Sequence, residues 1–294
     1  MPEGPPYDRI ACFLDRTDEG VIGAGLSVCG RLLADGGTLS VVHVAPATSV
    51  LAAGLSGWPL DPEDPVRPVR EWLDRETAHL GDIERVVLTG DHPPELGVEW
   101  AERSGVDLVV AAAHSTRVQR AALGSFTDGL ARHARVPVLV VPRSAVAPPS
   151  FAHLVCCIDD SPAASAALTE AVRLREAAGP GRLTLLRTVS PPRPFRMRAL
   201  TRLLPAPRAQ SRQARGRLEA AAARTPGATP VLLTGVPSDI PAWADANDAD
   251  MIVIGTHGDR SGPRALGTFA HTVCLHATTP VLLVPPAPAG GAAG

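Results

Sequence analysis

The 294-residue sequence predicts an α/β fold in which two five-stranded parallel-sheet sandwiches follow one another along the chain. Three observations predict it: short apolar runs without polar alternation, helical stretches between those runs, and an internal repeat of the whole pattern. Strands that are apolar on both faces are typical of buried parallel sheets. Strands that alternate with helices through right-handed crossovers give a doubly wound, Rossmann-like domain.

The repeat has a nearly constant offset of 143 to 145 residues. The matching segments are Cys12–Asp15 with Cys156–Asp159, Leu88–Gly90 with Leu233–Gly235, Asp107–His114 with Asp250–His257, Leu123–Phe126 with Leu266–Phe269, and Val136–Pro142 with Thr279–Pro285. Five matches in the same order do not arise easily by chance. We therefore predict two similar domains, residues 1–146 (the first half) and 151–287 (the second half), around a proline-containing linker at 144–150.

Each half is predicted to contain five strands and four helices. The first-half strands are expected at 10–14, 39–44, 84–88, 107–113 and 137–141, and the helices at 18–34, 69–80, 94–104 and 126–134. The second-half strands are expected at 153–158, 183–189, 230–234, 250–254 and 280–284, and the helices at 162–178, 208–224, 238–247 and 268–277. Ser161-Pro162 is a typical helix start, because serine caps the first turn and proline fits its first position.

The last strand of each half is apolar and is introduced by a proline, so it would form an exposed edge in an isolated domain. We expect the halves to associate through these strands or the adjoining helices, as an internal pseudo-dimer or within a homodimer.

Composition excludes several classes of function. All 28 basic residues are arginine, which excludes Schiff-base lysines and the lysine of a Walker A loop. A net charge of −2 and 3% aromatic residues argue against nucleic-acid binding. Neither a signal peptide nor a transmembrane segment is visible, and the five cysteines lack zinc-site spacing, so we expect reduced thiols in a cytoplasmic protein.

The residues that follow the second-half strands form a candidate anion site. Asp159 follows the first strand, Gly255 and Gly258 follow the fourth, and Gly267-Thr268 begins the last helix. Ligands of open α/β sheets bind beyond the carboxyl ends of the strands. Glycine allows close approach of the backbone and positive φ, and a helix N-terminus provides N–H donors for a phosphate.

With these motifs, the sequence resembles the universal stress protein family in its tandem, two-domain form, which has an adenine-nucleotide alpha-hydrolase-like fold. ATP-binding members carry an aspartate after strand one and a loop of the form G-x2-G-x9-G-(S/T). The resemblance implies an adenine nucleotide, ATP with or without Mg²⁺, as ligand. The residues that it implies for binding are Asp159, Val189, Gly255, Gly258, Gly267 and Thr268.

The match has three departures, of which the last suggests a degenerate first half. Both halves have eight residues instead of nine before the last glycine of the motif, and both place phenylalanine after its hydroxyl residue. In the first half, Ala112 and Ser115 replace the two loop glycines, although Asp15 and Gly124-Ser125 remain. A Cβ at such positions costs on the order of 1 kcal/mol or more where the backbone must meet a phosphate.

Structural interpretations remain open for the same residues. Asp15 and Asp159 could cap the following turn, and Gly255 and Gly258 could be turn glycines without a ligand. His114 and His257 share a position but have no carboxylate or cysteine nearby in the sequence. No G-x-S-x-G elbow, H-E-x-x-H motif or paired carboxylates appear, so we expect no catalytic and no metal-binding residues.

One segment is not explained by the family resemblance. Between Pro191 and Leu218 lie eight arginines and no acidic residue, at 193, 196, 198, 202, 208, 212, 215 and 217. The corresponding first-half region, 59–82, is acidic. The segment could be an anion-binding lid or a membrane-surface element; we favour a solvated excursion whose charge complements the first half.

The sequence therefore predicts a non-enzymatic stress-response protein that binds one nucleotide through its second half, for signalling or protection. A nucleotide-free interaction module that recruits an unknown protein partner is the alternative, and a weak ATP hydrolase is a third.

Overall fold

The computed structural model describes residues 5–15, 19–47, 64–113, 123–142, 145, 150–179, 181–189, 207–256 and 266–287. Ten strands, β1 to β10, run through these residues at Tyr7–Phe13, Leu33–Pro46, Glu84–Gly90, Leu108–Ala113, Val138–Pro142, His153–Cys157, Arg182–Val189, Ala228–Thr234, Met251–Gly255 and Val281–Val284. The same residues contain helices α1 to α8 at Glu19–Leu32, Arg67–Thr77, Pro93–Arg103, Ser125–His133, Pro162–Ala177, Pro207–Ala223, Asp239–Ala246 and Thr268–His276. Every predicted strand and helix is confirmed, with different ends.

The strands form one ten-stranded sheet in the order β3-β2-β1-β4-β5-β10-β9-β6-β7-β8. All neighbouring strands are parallel except β5 and β10, which pair antiparallel. Each half therefore has the same strand order, and the predicted parallel α/β fold is confirmed. The expected association through the last strands is also confirmed, and it merges the two sheets into one.

The junction between the halves has local twofold symmetry. Leu139 pairs with Leu282, Val140 with Val281, and Val138 with Leu283. Because Leu139 and Leu282 occupy the same position in the repeat, an antiparallel pairing centred on them places each half in an equivalent environment. A self-complementary contact of this kind is typical of a twofold dimer, so the single chain has the form of an internal pseudo-dimer.

The apolar side chains of the strands alternate between two helical layers, one on each face of the sheet. One layer consists of α1, α2, α5 and α6, and packs against strand residues such as Ile10 and Cys156. The other consists of α3, α4, α7 and α8, and packs against residues such as Phe13 and Cys157. Both layers cross the junction between the halves. The burial on both faces explains why the strands lack polar alternation.

The connection from α1 to β2 differs from the prediction. The predicted helix continued to residue 34, but α1 ends at Leu32 and β2 begins immediately at Leu33. Tyr7 pairs with Leu33 and Arg9 with Thr38, so β2 has a bulge opposite β1. Gly36, with φ +76°, lies within that bulge. A left-handed residue of this kind is readily provided by glycine, and the bulge lengthens the strand beyond the predicted range.

A polar contact between the start of β1 and α5 also joins the two halves. The Tyr7 hydroxyl donates a hydrogen bond to Glu170 of α5, and the Arg173 guanidinium lies 4.5 Å from the Tyr7 ring centroid. Burial, followed by the neighbouring Glu170 carboxylate, raises the pKa of Tyr7 well above its ordinary value, so the phenol stays protonated and acts as the donor.

Two further expectations bear on the described residues. All five cysteines are buried, as expected, and none is paired in a disulfide. Among the described helices, none has the length and the apolar character needed to cross a membrane.

Candidate functional site

A cleft with a volume of about 170 Å³ opens in the second half, where β6, β7 and β9 end and α5 and α8 begin. We call it the second-half cleft. Its described lining consists of Cys157, Ile158, Asp159, Ser161, Ala164, Arg187, Thr188, Ile254, Gly255, Thr256, Gly267, Phe269 and Ala270. The cleft lies beyond the carboxyl ends of parallel strands, which is the usual position of ligand sites in open α/β sheets.

The N-terminus of α8 forms one wall of this cleft. Gly267 is the N-cap residue, and the first intrahelical bond runs from the His271 N–H to its carbonyl at 2.9 Å. No side chain in the described part of the chain caps the helix, and its first turn contains no acidic residue. Phe269 and Ala270, in that turn, line the cleft. The positive end of the helix dipole and the first-turn amides therefore suit an anion.

The glycine of this wall has a different local role from the one expected. Gly267 has φ −57°, so it does not adopt positive φ. Its N–H donates to the Thr256 carbonyl at 2.8 Å, which fixes the helix start to the end of β9. Positive φ therefore does not explain a glycine at this position, and phosphate donors must come from the amides that follow it.

Gly255 is required by packing. A Cβ at this position would lie 2.6 Å from the Ala163 carbonyl carbon and 2.7 Å from the Ala163 Cβ. The first turn of α5 thus rests directly on the end of β9. Gly255 does not have positive φ either. The close approach that explains this glycine is between two segments of the protein, and it determines where α5 stands beside the cleft.

Asp159 combines a capping role with exposure at the cleft. Its Oδ1 accepts the Ser161 N–H at 3.1 Å, and Ser161 in turn caps α5 by accepting the Ala164 N–H at 3.1 Å. This confirms the predicted helix start at Ser161-Pro162. The Asp159 side chain nevertheless remains solvent-exposed and lines the cleft. It can therefore accept further bonds from a ligand.

The six predicted binding residues are only partly brought together. Asp159, Gly255 and Gly267 line the cleft, whereas Val189 and Thr268 lie next to it and outside its lining. The Val189 carbonyl accepts the Gly235 N–H at 3.0 Å, which links β7 to the end of β8. Gly258 lies outside the described residues, as do the histidines His114 and His257.

Opposite the α8 wall, two arginines share one carboxylate. Asp160 accepts hydrogen bonds at Oδ2 from Arg187 at 2.7 Å and from Arg217 at 2.9 Å. Partial burial opposes ionisation of Asp160, but the hydrogen bonds from Arg217 and Arg187 outweigh it and lower the pKa of the carboxyl below its ordinary value. Arg187 lines the cleft and is 17% exposed; Arg217, on α6, is 52% exposed.

This arrangement revises the interpretation of the arginine segment. Its residues 191–206 lie outside the described part of the chain. Of the described arginines, Arg217 pairs with Asp160, and Arg215 lies 4.0 Å from Glu219. The acidic partners of both arginines belong to the second half. The expectation that the segment complements the acidic first-half region therefore does not hold for Arg215 and Arg217.

The equivalent edge of the first half carries different side chains. A small cavity of about 10 Å³ lies beside it, among α1 and the ends of β1, β4 and β5. Phe13 lines it, and its ring packs on Phe126 at 5.5 Å and against Trp100 at 6.4 Å between centroids. The repeat places Cys157 at the position of Phe13. An aromatic ring thus stands where the second half has the smaller cysteine.

Two more first-half side chains replace features of the cleft. Thr127, at the position of Ala270, donates from its hydroxyl to the Ala112 carbonyl at 2.6 Å and so joins α4 to the end of β4. Asp128 places a carboxylate in the first turn of α4. A negative charge there opposes a second anion at the helix N-terminus.

Sequence reasoning missed the contributions of Cys157, Arg187 and Asp160 to the cleft. The repeat alignment contained the signal for the first, since it sets Phe13 opposite Cys157. Arg187 occupies the position of His43, whose Nδ1 lies 2.8 Å from the Leu14 carbonyl and whose ring contacts Trp72 at 5.3 Å between centroids. A comparison of the halves residue by residue would have identified both exchanges.

Two observations concern ionisable and metal-binding groups at the described cleft. Burial, followed by the nearby Cys156 and Asp159, raises the pKa of Cys157 well above its ordinary value, so it remains a thiol. Across the described ranges, no three His, Cys, Asp or Glu side chains come together in a way that could hold a metal ion. The arrangement is suited to holding an anion between the α8 N-terminus and Arg187.

Comparison with known proteins agrees with this architecture. A universal stress protein from Archaeoglobus fulgidus DSM 4304 is similar over 95% of this chain and 96% of its own, with a TM-score of 0.66 and 17% identity. A putative universal stress protein from Pseudomonas aeruginosa UCBPP-PA14 is similar over 96% and 94%, with a TM-score of 0.59 and 17% identity. At these identities, the likeness shows the fold. No curated protein matches the chain significantly.

The family model of the universal stress protein family matches the chain twice, at residues 6–142 and 150–285. The two matches cover most of the sequence and coincide with the two structural repeats. The chain therefore belongs to the universal stress protein family.

Proposed function

We propose that the chain binds one adenine nucleotide, ATP in the first instance, in the second-half cleft, and that it acts as a signalling or protective module in a stress response. The observation that carries the proposal is the second-half cleft of about 170 Å³, whose lining includes the start of α8, Arg187 and the exposed Asp159. At the equivalent positions of the first half, Phe13 and Thr127 stand in place of Cys157 and Ala270.

The charges and donors of the cleft support a phosphorylated ligand. The uncapped α8 N-terminus provides amides and a positive dipole end, and Arg187 provides a cation opposite them. Asp159 exposes a carboxylate that can accept from a ribose hydroxyl or an adenine amine. When bound, Mg²⁺ would supply further countercharge to the phosphates. This set of groups fits a nucleoside phosphate better than a neutral or cationic ligand.

We propose binding without turnover. A hydrolase would need a group that orients or deprotonates an attacking water. Cys157 is held as a thiol by burial, and Asp159 is committed in part to the Ser161 amide. Release of ADP from bound ATP over hours, measured by chromatography, distinguishes a hydrolase from a binding protein.

A carboxylate at the start of the last helix tests the site. Thr268→Asp puts a negative charge beside the phosphates, whereas Ser125→Asp makes the same change at the equivalent first-half position. We expect calorimetric titration with ATP to show at least a hundredfold loss of affinity for Thr268→Asp and little change for Ser125→Asp. Equal effects of the two changes, or none, would contradict the proposed site.

A nucleotide-free interaction module is the second candidate, and one observation favours it. Gly255 and Asp159 each have a role within the protein, because one accommodates α5 and the other caps its first turn. If protein purified without added nucleotide carries none by mass spectrometry, and titration with ATP gives no heat, this second function is the correct one.

A further inference from the structure

We propose that Arg187 and Arg217, held together by Asp160, form an anion-selecting arm of the second-half cleft, which makes its ligand preference depend on phosphate charge. This inference rests on the proposed nucleotide-binding function and assigns a specificity role to three residues outside the family's motif. The observation is the pair of guanidinium groups on one carboxylate oxygen at the wall opposite α8.

The first argument is the number of donors. A guanidinium carries five N–H donors, and Arg187 uses Nη1 to reach Asp160. Among the described residues, no second protein acceptor approaches Arg187. Its remaining donors lie in a side chain that is 83% buried but lines the cleft. The two arginines outnumber the Asp160 carboxylate that they share, and Asp159, the other carboxylate of the cleft, accepts the Ser161 N–H and pairs with neither of them among the described contacts. A phosphate can therefore take up paired hydrogen bonds from Arg187.

The second argument is the backbone of Asp160. Its φ of +71° is in the left-handed region, which non-glycine residues adopt rarely, although aspartate tolerates it better than most. The preceding Asp159 caps the Ser161 amide, so the chain turns sharply between the end of β6 and the start of α5. This turn directs the Asp160 carboxylate to the arginines. An unfavourable conformation that a polar network maintains is typical of functional sites.

The third argument comes from the other half, where neither of the same two positions holds an arginine. His43 takes the place of Arg187 and faces the Leu14 carbonyl. Trp72 corresponds to Arg217, because each immediately precedes a fully buried leucine of the equivalent helix, Leu73 and Leu218. The His43 ring packs against the Trp72 ring in a T-shaped contact. In the first half, the contact between the His43 and Trp72 rings thus replaces the arginine pair of the second half.

The proposed arm predicts how ligand affinity depends on the number of phosphate groups. A phosphate chain that reaches from the α8 N-terminus to Arg187 gains charge-assisted bonds at both ends, whereas adenosine gains neither. We therefore expect affinity to rise steeply from adenosine through AMP and ADP to ATP. Tripolyphosphate, which has no nucleoside, should compete for the same site.

The test compares ATP, adenosine and tripolyphosphate on Arg187→Gln and on a control, Arg215→Gln. Arg215 is exposed on the same helix as Arg217, and its ionic partner is Glu219. We expect Arg187→Gln to weaken ATP and tripolyphosphate binding at least about tenfold, the loss of a charged hydrogen bond, and to leave adenosine binding unchanged. Arg217→Gln should have a smaller effect in the same direction, and Arg215→Gln none.

The possible outcomes separate the two proposals. If the wild-type protein binds ATP but Arg187→Gln weakens ATP and adenosine equally, or neither, the arm is overturned and the nucleotide site remains. If the wild-type protein binds tripolyphosphate through Arg187 but does not bind ATP more tightly than tripolyphosphate, the nucleotide proposal fails and the anion arm remains. If it binds none of the three ligands, both fail. Urea unfolding of each variant checks that it is folded.

Discussion

The two halves of this chain have the same strand order, the same helices and the same edge at which a ligand could bind, yet the described side chains at that edge differ. In the first half, Phe13 occupies the space at the end of β1, and Thr127 joins α4 to β4. In the second half, Cys157 and Ala270 leave that space to a cleft with Arg187 at its wall. Binding capacity in this fold therefore depends on a few side chains at the strand ends.

This comparison also separates residues that form the cleft from residues that support it. Gly255 supports it, because its missing side chain lets α5 approach β9. Cys157 forms it, because its small side chain leaves the space that Phe13 fills in the other half. Substitutions exchanged between the halves can distinguish these roles.

The largest expected effect comes from transferring the aromatic ring. Cys157→Phe places the first-half side chain in the second-half cleft, and we expect loss of ATP binding by at least a hundredfold in calorimetric titration. The neighbouring Cys156 points to the other face of the sheet, so Cys156→Ala is the control. ATP binding that survives in Cys157→Phe would show that the ligand lies elsewhere.

Removal of the aromatic ring from Phe13 tests the packing of the first half. Phe13→Ala removes a ring that contacts Phe126 and Trp100, and we expect a loss of about 3–5 kcal/mol in the free energy of unfolding. Cys157→Ala should cost about 1 kcal/mol, because fewer buried atoms are removed. Urea unfolding followed by circular dichroism measures both. Equal costs would contradict the view that Phe13 closes the first-half site.

Gly255→Ala tests the supporting role of the glycine without a ligand. The added methyl group would lie 2.6 Å from the Ala163 carbonyl carbon, so α5 must shift. We expect a loss of about 1–3 kcal/mol in the free energy of unfolding, measured in nucleotide-free protein. The converse change, Ala112→Gly, should cost less than about 1 kcal/mol. A neutral Gly255→Ala would indicate that this glycine serves only the ligand.

The smallest expected effect is a pH dependence that belongs to one half. Burial, followed by the nearby Arg182 cation, lowers the pKa of His153, whereas the equivalent first-half residue is Arg9 and not a histidine. The unfolded state therefore binds a proton more readily, and stability contributed by neutral His153 is complete above the ordinary pKa of about 6.5 and declines as the pH falls below it. Urea unfolding between pH 7.5 and 5.0 should show this slope, and His153→Asn should flatten it.

The sequence was sufficient to predict the fold, because the apolar runs indicate the strands and the repeat gives the same strand pattern in each half. The central strands are buried on both faces, so the residues from Ile10 to Phe13, for example, are all apolar. Pairing of the last strands followed from their apolar character. The start of β2 was missed, because a bulge that depends on the opposing strand cannot be read from local pattern.

The site was less predictable, because it depends on which side chains meet. Motif residues such as Asp159 and Gly255 were located correctly at the strand ends, but their bonds to Ser161 and packing on α5 depend on tertiary structure. Arg187 and Arg217 are 30 residues apart in the sequence and meet only through Asp160. No local motif marks such a cluster, whereas the differences between the aligned halves do.

The most direct test of the central claim, that only the second half binds nucleotide, is photolabelling with 8-azido-ATP followed by peptide mapping of the intact chain. The account predicts label in second-half peptides near the cleft, prevented by excess ATP and absent from Cys157→Phe. Label that ATP displaces equally from first-half peptides around Asp15 and Ala112, or label confined to them, would contradict it.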